Sequence, residues 1–195
     1  AQPPIPVSAL VITYCHKAFV AEALQTILAQ QGPDIEIVAS DDCSPDGTLA
    51  AIERIAAATG GQRRFVVSST LRNSGLASNL NNAVAQARGA ILVACAGDDR
   101  SRPGRFARLV AAMGVHEDGI FAVTTDAMKI DAAGRETGHE PGWQHGGAIE
   151  AMAFVVPGVA TNGAAMAYRR EVFDLFGPLD AGVNWEDQVL PFRAA

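Results

Sequence analysis

Apolar runs and apolar stripes of helical period alternate along the first hundred residues. Residues 7–13 (VSALVIT) form a short β-rich run, and residues 18–30 (AFVAEALQTILAQ) place Val20, Leu24, Ile27 and Leu28 at helical spacing. Gly32-Pro33-Asp34 interrupts the pattern. After it, 35–40 (IEIVAS) reads as a second strand and 48–59 (TLAAIERIAAAT) as a second helix carrying Leu49, Ile52 and Ile55. The unit then repeats as strand 64–69 (RFVVSS), helix 76–88 (LASNLNNAVAQAR) and strand 90–96 (AILVACA). Strands that are apolar throughout, alternating with helices, predict an α/β fold with a mainly parallel central sheet flanked by helices.

Beyond residue 100 the pattern changes. A helix is expected over 105–113, and residues 120–136 (IFAVTTDAMKIDAAGRE) read as a β-hairpin turning at Asp131-Ala-Ala-Gly134. A strand at 164–169, a short helix at 170–176, the break GPLD and the tail NWEDQVLPFRAA complete the chain. There is no internal repeat beyond the βα units and no low-complexity linker, so 1–195 reads as one domain.

Composition narrows the class. The 195 residues are 49% hydrophobic and 18% charged, which suits an ordinary soluble globular domain, and the net charge of −6 supplies no basic field for nucleic acid. Cys15, Cys43 and Cys95 are odd in number and form no CxxC pair. They suggest neither a disulfide framework nor a structural zinc site, and a reducing cytoplasm fits them best. No apolar run approaches the ~18 residues of a membrane span, and the opening AQPPIPV lacks a basic n-region and an apolar h-region. The chain starts without Met and stops on PFRAA as a helix begins, which reads as a segment of a longer protein.

In an open parallel sheet, ligands bind at the carboxyl ends of the strands. Each predicted parallel strand has a polar tip there: Thr13-Tyr14-Cys15-His16, Asp41-Asp42, Arg72-Asn73 and Asp98-Asp99. Asp41 reads equally well as a cap or turn residue, since SPDGT is turn chemistry with its own cap in Asp46. The pair Asp98-Asp99 is harder to explain structurally. Ser101-Arg102-Pro103 already offers a cap, and adjacent carboxylates repel unless a cation or donors offset them. Mg²⁺ and Mn²⁺ favour carboxylate oxygen, and Mg²⁺ commonly adds substrate phosphates and water. No GxGxxG follows the first strand and no GxxxxGK[ST] occurs, which removes the main warrant for dinucleotide-binding and P-loop readings.

Five blocks in order carry a resemblance that covers nearly the whole chain. They are VSALVITYCHKAFVAEALQTILAQQ, DIEIVASDDCSPDGT, RNSGLASNLNNAVAQARGAILVACAGDDRSRPGRF, TNGAAMAYRREVFDLFGPLD and EDQVLPFRA. Together they resemble the family 2 glycosyltransferases of GT-A fold. The resemblance implies metal-dependent, inverting glycosyl transfer from a nucleotide-diphospho-sugar donor to a hydroxyl of a saccharide or lipid-linked acceptor. The cofactor would be a divalent cation, Mn²⁺ or Mg²⁺. It further implies a nucleotide-sugar-binding half at 7–103, an acceptor-side half at 104–195, and a cytoplasmic enzyme, at the inner membrane face if regions outside this chain supply the contact.

Carried over residue by residue, Tyr14 and Asp42 line the nucleoside pocket. Asp42 accepts from a base N–H such as the uracil imide, which favours a UDP-sugar. Asp98 lies near the ribose or phosphate, Asp99 holds the metal with Asp98 as the alternative ligand, and Asp187 is the catalytic base. Arg72, Asn81 and Glu186 join the substrate-binding candidates, with Glu186 also the rival base and Asn81 also a tether between its helix and a loop. Two departures stand out: Ala96 replaces the leading carboxylate of the acidic motif, and Cys15 a common Asn.

Without the resemblance, Asp187 reads as an ordinary acidic residue of a first helical turn, whose dipole lowers its pKa. Because Pro191 suits only a first turn, and only eight residues follow Asp187, its segment is expected to be poorly packed. The chain should therefore bind donor more readily than it transfers sugar. Trp143 and Trp185 are stacking or core residues, and His16, His116, His139 and His145 show no ligand spacing and are expected mostly at the surface. The rivals are a sugar nucleotidyltransferase, disfavoured because TYCHKAF lacks glycine, and an inactive nucleotide- or sugar-binding domain of the same fold.

Overall fold

Seven consecutive residues, Val7–Thr13, make strand β1, and six of them are buried, as a strand covered on both faces requires. Side chains alternate across it. Val7, Ala9 and Val11 join one core, with Leu24, Ile27, Ile52, Phe106 and Leu109, whereas Leu10 joins a second, with Leu80, Leu92, Tyr168, Phe173 and Leu190. The computed structural model describes residues 7–115, 121–131, 133–142, 161–184 and 186–194.

The remaining elements of the first half are α1 (Val20–Leu28), β2 (Ile35–Asp41), α2 (Thr48–Ala58), β3 (Phe65–Ser69), α3 (Leu76–Gln86) and β4 (Ile91–Ala96). Then come α4 (Arg105–Val115), β5 (Ala122–Thr124), β6 (Ala127–Ile130), β7 (Glu136–Glu140), β8 (Met166–Arg169), α5 (Glu171–Phe176) and α6 (Glu186–Ala194). The main sheet has the order β3-β2-β1-β4-β8-β5. Strands β1 to β4 are parallel, and β8 is antiparallel to both β4 and β5. Helices α1, α2 and α4 supply the first core, and α3, α5 and α6 the second. The chain moves outward from β1 to β3 and then returns to the other side of β1, so the order reverses between β1 and β4. At such a point the loops after two neighbouring strands part to opposite faces and open a crevice.

The 120–136 stretch differs from the single hairpin expected. Its first strand, β5, joins the edge of the main sheet beside β8, and only β6 and β7 pair as a separate hairpin. The turn falls where expected, with Asp131 Oδ1 accepting from the amides of Ala133 and Arg135 at 2.9 and 3.0 Å.

One buried charge was not visible in the sequence. Glu36, inside β2, is fully buried and accepts from Ser8 Oγ at 2.5 Å, Gly89 N at 3.1 Å, Arg88 N and the Arg64 guanidinium. These bonds join β1, β2 and the lead-ins to β3 and β4 at the end of the sheet opposite the crevice. They hold the carboxyl below its ordinary range against the opposing effect of burial.

Candidate functional site

The tips of β1 and β2 are knotted by Asp41. This fully buried carboxylate accepts from Thr13 Oγ at 2.9 Å, Ser44 Oγ at 2.6 Å and Ser44 N at 2.8 Å, and Ser44 Oγ in turn accepts from Cys15 N at 2.8 Å. Its role is the turn role. Asp46 accepts from Thr48 N at 3.0 Å, one residue before the Gly47 cap of α2.

Asp42 faces the other way and orders the loop between β3 and α3. It is 3% exposed and accepts from Thr70 Oγ at 2.7 Å, Ser74 N at 2.9 Å and Gly75 N at 2.8 Å. Asn79, buried in the first turns of α3, donates to Thr13 O and Ser40 O at 3.2 and 3.1 Å, pinning the helix to the two strand tips.

These groups enclose one side of a cleft of about 380 Å³ at the β1/β4 reversal. Tyr14, His16, Asp42 and Asn73 line it from the first three loops, and Glu186 from the start of α6. Ile12, Leu80 and Leu190 give it an apolar floor. Sequence reasoning missed Asn79 and Tyr168 in this wall, whereas His16 belongs to the polar tip expected after the first strand. His16 packs beside Gly97: a Cβ there would lie 2.8 Å from its Nδ1, an atom buried without a hydrogen-bond partner among the described residues.

Of the predicted site residues, Tyr14, Asp42 and Glu186 line the cleft, whereas Arg72, Asn81, Asp98, Asp99 and Asp187 do not. The Asn81 amide donates to Leu179 O at 2.8 Å and accepts from Leu179 N at 2.9 Å, so it is committed to the expected tether rather than turned to a ligand. Arg72 is exposed and does not line the cleft; its carbonyl accepts from Ser74 Oγ at 2.9 Å, shaping the loop.

Asp98 and Asp99 stand on the rim after β4. His16 Nε2 lies 3.7 Å from Asp98. Crowding by surrounding protein first, and the Asp98 charge second, push the Asp99 carboxyl above its ordinary range, opposed by Arg105 and His16. Arg105 braces this corner by donating to Ala94 O and Ala164 O at 3.0 and 2.7 Å. Among the described residues no cluster of three or more His, Cys, Asp or Glu forms a metal cage. Two adjacent carboxylates, one of them destabilised as an anion, fit a hard cation that takes its other ligands from phosphate and water.

Glu186 and Asp187 open α6, and Glu186 lines the cleft. Burial raises both carboxyls above their ordinary range, with the Asp187 charge adding to the rise at Glu186. The expected lowering by the helix terminus is outweighed, because both side chains are half-buried. The same two charges, after burial, raise the phenol of Tyr168, whose hydroxyl lies 3.0 Å from Met166 Sδ.

The segment is also better held than the sequence suggested. Pro191 sits inside α6, past its first turn, Leu190 is fully buried, and Arg193 donates to Gly177 O at 2.8 Å. His139 pairs with Asp126 at 3.0 Å on the exposed hairpin. His116, Trp143, His145 and Trp185 lie outside the described residues.

Residues 8–176 match glycosyl transferase family 2. EpsE of Bacillus subtilis (strain 168) is 32% identical over 110 residues, covering 56% of this chain and 39% of EpsE. The succinoglycan biosynthesis protein ExoO of Rhizobium meliloti (strain 1021) is 29% identical over 125 residues, covering 64% of this chain and 34% of ExoO. Among solved structures, the mannosyltransferase PcManGT of Pyrobaculum calidifontis, in complex with GDP-Man and Mn²⁺, superimposes with a TM-score of 0.73 at 21% identity. That match covers 97% of this chain and 51% of PcManGT. TarS 1-349 of S. aureus in complex with UDP-GlcNAc gives a TM-score of 0.65 at 22% identity, covering 97% and 53%. This chain thus spans about half, or less, of each of these proteins. The sheet order and these superpositions establish the GT-A fold, and the match over residues 8–176 places the chain in glycosyl transferase family 2.

Proposed function

We propose that the chain forms the core of an inverting glycosyltransferase that moves a sugar from a nucleoside diphosphate to an acceptor hydroxyl, on a saccharide or a lipid-linked saccharide. One observation carries the reading. A single cleft at the strand-order reversal is lined by Ala96 at the end of β4, two residues before Asp98-Asp99, and by Glu186 at the start of α6, next to Asp187. The GDP-Man, Mn²⁺ and UDP-GlcNAc of the structural neighbours support the same donor class and cation.

Tyr14 and Asp42 hold the nucleoside in this reading. Asp42 Oδ1 accepts from Thr70 Oγ and Ser74 N, and Oδ2 from Gly75 N and, at the longer distance of 3.1 Å, from the shared Ser74 N. A base N–H would take the place of that longer contact at Oδ2, and the rigid loop fixes its direction. This favours a uracil, whose imide donates there, over bases that present an acceptor.

Asp99, with Asp98, would hold a divalent cation. When bound, that ion supplies the positive charge needed beside a departing diphosphate. Asp187 takes the proton of the attacking hydroxyl, and its raised pKa makes it a stronger base than a solvated Asp. Glu186, in the cleft wall, orients the transferred sugar.

The test is a thermal-shift panel of UDP, GDP, dTDP and CDP with and without Mn²⁺, followed by a transfer assay with the anomeric configuration of the product read by NMR. UDP stabilising most, and only fully with Mn²⁺, is the expected result. A protein that binds no nucleoside diphosphate would end this reading. Binding without transfer to any acceptor, in this chain and in a longer form alike, would make it a sugar-nucleotide-binding domain.

A further inference from the structure

Gly163 opens the short 3₁₀ turn Gly163–Ala165, which leads into β8, and both Gly163 and Ala164 line the cleft together with Glu186. The φ of Gly163 lies outside the left-handed region, so the backbone makes no demand for glycine there. Space does. A Cβ built on Gly163 would overlap Glu186 Oε1 and would lie 3.4 Å from both Glu186 Cδ and Asp187 Cβ. The Glu186 carboxylate thus occupies the volume that even an alanine would fill.

Both backbones around this contact are tied down. Asn162 Oδ1 accepts from Ala164 N at 3.1 Å, Ala164 O from Arg105 Nη2 at 2.7 Å, and Ala165 O from Thr125 N at 3.0 Å. Arg105 donates from the same nitrogen to Ala94 O at 3.0 Å, which joins the turn to β4. On the other side, Thr161 Oγ donates to the Asp187 carbonyl and fixes the start of α6. What can yield between two fixed backbones is the free end of the Glu186 side chain, through its torsions. Burial in this seat also raises the Glu186 carboxyl above its ordinary range.

We propose that Gly163 is a positioning residue: its missing side chain seats the Glu186 carboxylate and sets the direction in which that group meets the transferred sugar. This rests on the reading of Glu186 as the group that orients the sugar, and it adds the residue that orients Glu186. An alanine at 163 turns the carboxylate out of its seat and leaves the nucleoside end of the cleft, at Tyr14 and Asp42, as it was.

The experiment compares the parent with Gly163→Ala, Glu186→Ala and the double variant. Gly163→Ala should keep the melting temperature and the calorimetric affinity for UDP with Mn²⁺, and should lower kcat by roughly ten- to a hundredfold, the scale of a misplacement of about 1 Å. In the Glu186→Ala background the same substitution should cost nothing more, since the carboxylate it displaces is gone. Carbon-13 NMR of the labelled Glu186 carboxyl gives a readout that needs no turnover: in Gly163→Ala its pKa should fall towards the ordinary value of about 4.3 as the group turns to water. An unshifted pKa overturns the proposal. So does an unchanged kcat in a chain whose parent transfers sugar, or a kcat loss of equal size with and without Glu186, which would mark a purely structural turn. A parent that binds UDP yet transfers nothing counts against the transferase reading alone, and the carboxyl titration then decides the seat.

Discussion

The hydroxyl of Thr161 donates to the backbone carbonyl of Asp187. That carbonyl is the one left open by Pro191, which stands four residues later in α6 and has no N–H to return to it. The two residues are 26 apart in sequence, and the bond fixes the first turn of α6, where Glu186 and Asp187 begin the helix. A proline that reads as a helix breaker is thus accommodated by a side chain from another segment.

Thr161→Val should accordingly destabilise the protein by about 1–3 kcal/mol, the penalty for a buried acceptor left unmet. Thr161→Ser should restore most of it. Urea denaturation of both variants measures this, and equal stability of the Val variant and the parent would show that the carbonyl finds another donor.

Asp187→Asn should lower kcat by roughly 10²–10⁴-fold, the usual worth of a general base. The base acts when deprotonated, and burial raises its pKa. The acid limb of kcat/KM should therefore lie above the ~3.9 of a free Asp, with activity lost as pH falls through the raised value. Should Glu186→Gln abolish that limb while Asp187→Asn retains it, the base is Glu186.

Asp99→Asn should remove most of the enhancement of UDP binding by Mn²⁺, by roughly tenfold or more in affinity. Its folded-state pKa is raised, so at neutral pH the ionised carboxylate is less at ease in the folded chain than in the unfolded one. The variant should hence melt slightly higher than the parent. Calorimetric titration with and without Mn²⁺, beside a melting curve, reads both effects. Unchanged Mn²⁺ dependence would remove Asp99 as a ligand.

Glu36→Gln should cost stability near the lower end of the roughly 3–5 kcal/mol of a broken buried ion pair, because the Arg64 side chain keeps 27% of its exposure. The pH dependence has a definite sign. The folded pKa of Glu36 is lowered, so its contribution is present above the unfolded value of about 4.3 and fades as pH falls through the folded one. The acid limb of stability against pH should be shallower in the variant. An unchanged limb would place the titrating groups elsewhere.

The sequence by itself determined the βα units, the parallel half of the sheet and the polar strand tips. An uninterrupted apolar run such as AILVACA is legible because a strand covered on both faces has no polar side to hide. Asp98-Asp99 was legible because adjacent like charges need a reason. Asn79 and Glu36 were not: each is a lone polar residue in a predicted element, indistinguishable there from a surface position. Only the tertiary structure decided their fates. Asn79 meets Thr13 and Ser40, Glu36 meets Ser8, Arg64 and Gly89, and Thr161 meets Asp187, partners 26 to 66 residues away in the chain. The reason is physical: apolar burial follows from local periodicity, whereas a buried polar group is stable only with specific partners, and only packing brings those within hydrogen-bond reach.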